Sequence, residues 1–239
     1  MPETGSTSSN NRPGVVLHNE DVAPAALLGD WLRERQIPHR TIRTWDSGVP
    51  DDPREFAWIA ALGSSHSASQ SDPAWIPAEI DLLRRAVDAD VPVLGICFGG
   101  QALSVALGGD VADADQPVWG WFETETEEPD LVPPGPWAHV HQQVFSVPPG
   151  ATRIATAPAG PDAYRVGPHL GLQFHPEATP AIVDRWAEDE AAKLPELGVD
   201  RTALREQGDR IAARAAAEAF RMFDAWRSLA VALAQLRYA

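Results

Sequence analysis

The chain has 239 residues, 44% apolar and 22% charged, with a formal net charge of -15 at pH 7. That balance excludes a disordered chain, and basic residues that are nearly all arginine and form no run exclude a phosphate-neutralising surface for nucleic acid or an anionic membrane. A single cysteine excludes an internal disulfide and leaves one thiol whose role has to be found.

Residues 1–12 are polar, lack the apolar core of a signal peptide, and read as a disordered tail closed by Pro13 and Gly14. No stretch approaches the roughly 20 apolar residues of a spanning helix, so a cytoplasmic protein is expected. The expected organisation is that tail, a main domain over residues 13–190, and a C-terminal helical extension over residues 191–239.

Residues 15–18 form an apolar run of strand length, and Leu27, Leu28, Trp31 and Leu32 give residues 25–36 a helical spacing. Residues 39–45 and 56–62 read as two further strands. Pro77 sits in the first turn of a helix whose apolar face runs through Ile80, Leu82, Leu83, Ala86 and Val87, and residues 91–96 follow as a buried strand. Strands alternating with helices predict an open, mostly parallel α/β sheet flanked by helices, with chemistry beyond the carboxyl ends of the strands. From residue 111 to 174 short strand-like pieces at 119–126, 153–157 and 170–174 predict added antiparallel strands, and helices are predicted over 181–193 and about 202–236.

The run Val91-Pro92-Val93-Leu94-Gly95-Ile96-Cys97-Phe98-Gly99-Gly100-Gln101 places the cysteine where a buried strand must turn sharply into a helix. Small neighbours permit such a strained turn and bring a nucleophile to the sheet edge, as with serine in hydrolases. The unpaired amides and the dipole at a helix N-terminus favour an anionic sulfur and can bind an oxyanion, so Cys97 is expected to be reactive and presented to solvent. An arbitrary cysteine after a strand is more often a small buried hydrophobe, and the glycine pattern is what argues otherwise here.

A sulfur that attacks an amide needs a proton shuttle, because an amine leaves poorly until it is protonated. The sequence Gly171-Leu172-Gln173-Phe174-His175-Pro176-Glu177 offers a histidine at a strand end and a carboxylate two residues on, which in a strand would face the same side. Alone the tripeptide says little. With the elbow it completes a Cys, His, Glu set.

The two motifs together resemble the class I glutamine amidotransferases, whose triad runs Cys, His, Glu in that order. Leu107-Gly108-Gly109 and Val147-Pro148-Pro149-Gly150-Ala151 agree as well, and the resemblance covers about residues 14–186, in the manner of freestanding members similar to the amidotransferase part of GMP synthase. It implies a flavodoxin-like fold and hydrolysis of the side-chain amide of L-glutamine through a glutamyl thioester on Cys97, with His175 as acid and base and Glu177 orienting it. It also implies an oxyanion hole from the backbone of Phe98, Gly63 and Ser64, and substrate contacts from Gln101 and a loop of Val140, His141, Gln142 and Gln143. The family often has Gly-Gly at Gly63-Ser64 and Asp at Gln143, so the oxyanion loop and the substrate end are where this chain departs.

His66, His139 and His141 lack the paired spacing of a zinc site and read as loop residues, so no metal is expected. Gly99-Gly100 is not followed by Lys-Ser/Thr, and no ATP site or other cofactor is expected. The resemblance implies a separate synthetase or acceptor subunit for the ammonia. Two other readings stay open: a γ-glutamyl hydrolase or peptidase with the same triad, toward which Gln143 leans, and a binding protein that leaves its site unused. In the last helix Leu204, Ile211, Ala215, Ala219, Met222, Trp226, Leu229, Leu233 and Leu236 lie on one stripe, widened by Phe220 and Phe223. That stripe either packs on the main domain or builds a homo-oligomer interface.

Overall fold

The computed structural model describes residues 12–236; the tail expected at residues 1–12 lies outside it but for residue 12, as do residues 237–239 and the side chains of residues 234–236, Leu236 of the stripe among them. In chain order the elements are β1 (Gly14–His18), α1 (Ala26–Glu34), β2 (His39–Arg43), α2 (Thr44–Ser47), a 3-10 turn (Pro53–Glu55), β3 (Ile59–Ala61), α3 (Trp75–Asp88), β4 (Val93–Ile96) and α4 (Phe98–Ala106). They continue with β5 (Val111–Phe122), β6 (Glu125–Thr126), β7 (Trp137–Phe145), β8 (Thr152–Ala157), β9 (Gly160–Val166), β10 (His169–Leu172), α5 (Pro180–Asp189) and α6 (Arg201–Leu236).

The main sheet has the order β2-β1-β3-β4-β10-β9-β8-β6. From β2 to β10 neighbours run parallel, and from β10 to β6 they run antiparallel. The expected mostly parallel sheet with added antiparallel strands is therefore what the chain forms. Its central strands are covered on both sides, which is why β1, β3 and β4 read as unbroken apolar runs. Side chains alternate between the faces: Val16, Ala60, Leu94 and Ile96 pack with Leu28, Trp31 and Leu32 of α1. Val15, Leu17, Ile59, Ala61 and Val93 point the other way, onto Leu82, Leu83 and Ala86 of α3 and Phe98, Ala102 and Leu103 of α4.

The apolar stripe of α6 is buried in two places. Leu204 and Ala215 join Trp121, Ala138, Val183 and Ala187 beside α5 and the two-stranded β5-β7 sheet. Further on, Ala219, Met222, Phe223 and Trp226 complete the core on the α1 side, where Trp31 and Phe223 rings lie 5.5 Å apart. Full burial of side chains this large stabilises by about 1.5–3 kcal/mol each.

Two local expectations change. Val140, His141, Gln142 and Gln143, read as a loop, are consecutive residues of β7, and His139 lies on the same strand. β7 pairs antiparallel with β5 through a register in which Trp119 faces Val140 and Asp113 faces Gln143, with an irregularity between Asp113 and Val118. The loop expectation failed because Trp137, Ala138 and His139 are buried in succession and Gln142 and Gln143 are both polar, so β7 carries no clear period of two.

Candidate active site

Cys97 stands between β4 and α4 with φ 51°, a left-handed conformation that costs a non-glycine residue of order 1–3 kcal/mol. Neighbouring glycines make the turn sterically available. A Cβ on Gly99 would lie 2.1 Å from the Ala61 carbonyl oxygen, and one on Gly100 would lie 2.4 Å from that of Leu172, so α4 could not otherwise start this close to β3 and β10. Backbone bonds lock the elbow in place, with the Cys97 amide donating to Leu172 O at 2.9 Å and the Gln101 amide donating to Cys97 O at 2.9 Å. The expected presentation to open solvent is corrected. Cys97 is only 6% exposed, because the packed sheet and helix leave it one open side, onto a cavity.

His175 reaches that side by a route the sequence did not suggest. β10 ends at Leu172, the chain bends, and His175 forms an isolated antiparallel bridge to Ala138 of β7, donating its amide to Ala138 O at 2.8 Å. Glu177 follows in a turn, so the carboxylate meets the ring across Pro176 and not along one face of a strand. The meeting is close: His175 Nδ1 lies 2.7 Å from Glu177 Oε1, and both side chains are buried. The Leu27 amide of α1 donates to the Glu177 carbonyl at 3.0 Å and holds the turn. Burial opposes charge on the ring, yet Glu177 and Cys97 outweigh it and hold the imidazole well above its ordinary value. With Nδ1 turned to the carboxylate, Nε2 is the nitrogen left for the Cys97 sulfur, whose proximity helps raise the ring's value. Trp186 of α5 closes over the ring, centroid to centroid 4.8 Å.

The cavity has a volume of about 520 Å³ and takes in Cys97, His175, Ser64, Gln101, Val140, His141, Gln142 and Gln143 along its walls. Gly63 sits against the reacting side chains without lining it: a Cβ there would lie 3.0 Å from His175 Cε1 and 3.8 Å from Cys97 Cβ. Phe98 is fully buried, and its amide belongs to the first turn of α4. All the residues singled out from the sequence therefore converge, Glu177 from behind the histidine. Gln101 is largely committed to the wall, since its Nε2 donates to Gln143 O at 3.0 Å and to Gln173 Oε1 at 3.5 Å.

His139 and His141 are not loop residues. His139 is buried with Nε2 3.1 and 3.2 Å from the two carboxylate oxygens of Asp162 on β9, tying the small sheet to the large one. His141 donates from Nδ1 to Gln143 O at 3.1 Å, and burial pushes it down to about 4, so it is neutral near pH 7. Among the described residues no group of three His, Cys, Asp or Glu could hold a metal. Sequence reasoning missed Trp186, Trp119, Glu20 and Asp113, which also line the cavity. They come from β5, α5 and the loop after β1, and only register and packing reveal them. Asp113 is the most informative: its Oδ1 accepts from Gln143 Nε2 at 2.9 Å.

Comparison with known proteins agrees with this geometry. Residues 67–185 match the family model of Glutamine amidotransferase class-I. GMP synthase [glutamine-hydrolyzing] of Nitrosomonas eutropha is 32% identical over 191 residues, covering 69% of this chain and 35% of that protein. The same enzyme of Xanthomonas axonopodis pv. citri is 31% identical over 64% of this chain and 31% of its own length. The chain thus spans about a third of the curated relatives it matches. Among solved structures, a glutamine amido transferase from Methylobacillus flagellatus superposes with a TM-score of 0.83 at 26% identity over 91% of this chain and 95% of its own. A glutamine amidotransferase from Thermotoga maritima shares the fold with a TM-score of 0.80 at 21% identity, over 90% of this chain and 97% of its own. Sequence motif, sheet order and matched relatives lead to one assignment: residues 67–185 of the chain form a class I glutamine amidotransferase domain.

Proposed function

We propose that Cys97, His175 and Glu177 are the catalytic triad of this chain, and that it hydrolyses L-glutamine to glutamate and supplies the ammonia to a separate synthetase or acceptor subunit. The observation that carries the reading is the buried line of Glu177, His175 and Cys97 at the floor of the cavity. Cys97 sulfur attacks the carboxamide carbon while its proton is held on His175 Nε2, and the carbonyl electron pair moves to oxygen. Amides of Phe98, Gly63 and Ser64 receive that oxyanion. Collapse of the adduct breaks the C–N bond as His175 gives the proton to departing ammonia, leaving a glutamyl thioester. His175 then takes a proton from water, which adds to the thioester carbon, and the sulfur leaves. Glu177 keeps Nδ1 protonated and the ring aligned throughout.

Gln101, Val140, His141, Gln142 and Gln143 are assigned to the substrate wall. A synthetase partner is supported by the curated relatives, since the chain corresponds to about a third of a GMP synthase. A second reading, hydrolysis of other γ-glutamyl amides, is favoured by Gln143 and its bond to Asp113. Ammonia and glutamate release from L-glutamine, compared with amine release from γ-glutamyl amides, tests both. Preference for γ-glutamyl amides with no glutaminase activity would overturn the first, and no turnover of either by the protein alone or with a candidate synthetase would overturn both.

A further inference from the structure

The carboxyl end of β1 meets the segment after β3 in an arrangement that the chemistry above does not use. Asn19 is buried, and its Nδ2 donates to Leu62 O at 3.0 Å and to Glu79 Oε1 at 3.0 Å, while its Oδ1 accepts from Thr44 Oγ1 at 2.9 Å. The next residue reaches further along the same segment: Glu20 Oε2 accepts the Ser65 amide at 2.6 Å and Oε1 accepts from Ser65 Oγ at 2.8 Å. Two consecutive residues at one strand end thus grip the residue before Gly63 and the residue after Ser64.

We propose that Asn19, Glu20 and Glu79 are positioning residues that fix the backbone amides of Gly63 and Ser64 for the oxyanion. This inference rests on the functional reading above. Oxyanion donors are effective because they are aimed before the reaction and need no reorganisation during it. A Gly-Ser segment has little side-chain packing with which to hold its own amides, so the aim must come from neighbours. Glu79 supports Asn19 from α3, fully buried, and burial pushes its carboxyl up to about 8 against the opposing Asn19 bond. Near neutral pH it therefore accepts the Asn19 amide as an uncharged acid, which avoids leaving a bare charge under the site. A network that served folding alone would not need both of its ends to fall on this one segment.

The test compares Asn19→Ala, Glu20→Ala, Glu79→Gln and Glu79→Leu in the full chain, using L-glutamine and γ-glutamyl p-nitroanilide as substrates and iodoacetamide alkylation of Cys97 as a control. Alkylation forms no oxyanion, so it should not depend on the loop. We expect kcat to fall by about 10- to 100-fold in Asn19→Ala, Glu20→Ala and Glu79→Leu, with KM and alkylation rate within about twofold of wild type. Glu79→Gln, which keeps a neutral acceptor, should hold kcat within about twofold. Glu20 is half-buried, so its variant reports on the loop even where Asn19→Ala does not fold. An active wild type whose folded Asn19→Ala and Glu20→Ala variants keep kcat would overturn this inference alone. So would a matching loss of alkylation, which would mark a general structural role. A wild type that hydrolyses neither substrate would overturn the functional reading, and this inference with it.

Discussion

Glu177 Oε1 lies 2.7 Å from His175 Nδ1 in a pair almost fully removed from solvent. A carboxylate so placed orients and stabilises, whereas the histidine moves protons, and the two should be unequal under mutation. His175→Ala is expected to abolish measurable turnover, and Glu177→Gln to cost about 100-fold less than that. Ammonia release from L-glutamine measures both. Equal, negligible losses in folded variants would remove the pair from the mechanism.

Cys97 is the only cysteine of the chain, so its alkylation can be read without background from other thiols. It opens only onto the cavity, and a ligand there should shield it. Iodoacetamide is expected to label the native protein and abolish activity, with L-glutamine slowing both in parallel. Labelling that glutamine leaves unchanged, or full activity in Cys97→Ser, would contradict the assignment.

Asp113 and Gln143 face each other across β5 and β7, and the amide of one donates to the carboxylate of the other. No cation pairs with Asp113 among the described residues, so its charge is available to a substrate ammonium. Asp113→Asn is expected to raise KM for L-glutamine about 10- to 100-fold, the worth of one hydrogen bond to a charged group, with kcat little changed. Adding Gln143→Asp to that variant should recover most of the loss. Steady-state kinetics on the three proteins decide it, and an unmoved KM would place the substrate's charged end elsewhere.

Glu79 gives stability a pH dependence of known sign. Its folded value is raised from 4.5 to about 8, so its contribution is complete below about 4.5 and is lost as pH rises through about 8. Relative to Glu79→Gln, the wild type should lose on the order of a few kcal/mol between pH 5 and pH 9. Urea unfolding of the two proteins at both pH values reads the difference, and parallel stabilities would show that the carboxyl titrates normally.

Truncation after Gly198 would remove Met222, Phe223 and Trp226 from the core beside Trp31. Each such loss costs about 2–5 kcal/mol when taken as a single change to alanine, so Trp226→Ala should lower the melting temperature by several degrees and the truncated chain should not fold. A soluble, cooperatively melting truncated monomer would show that α6 serves another purpose.

What the sequence made legible were features set by local chemistry. The glycines around Cys97, the His-Pro-Glu run and the apolar runs of β1, β3 and β4 each announce a backbone shape or a buried face. What it hid depends on partners distant in the chain. β7 gave no strand signal because Trp137, Ala138 and His139 are all buried, on whichever face they fall. The first half of β5 lies outside the strand piece expected at 119–126 and is revealed only by its pairing with β7, where Pro117 marks the irregular stretch. Cys97 was expected at the surface because an elbow says which way a side chain points and nothing about the sheet and helix packed around it. The His139–Asp162 pair joins residues 23 apart on different sheets, beyond any motif.

The burial of Trp31 by α6 also sets an order of events during synthesis. Trp31 donates its indole N–H to Asp224 at 2.8 Å, across a separation of 193 residues, and packs on Phe223 one position earlier. Until the ribosome has delivered that helix, α1 can pack Leu28, Trp31 and Leu32 on the sheet, but the part of this core that Met222, Phe223 and Trp226 complete stays open. The α1 side of the core therefore closes late in synthesis, only once residue 226 has emerged.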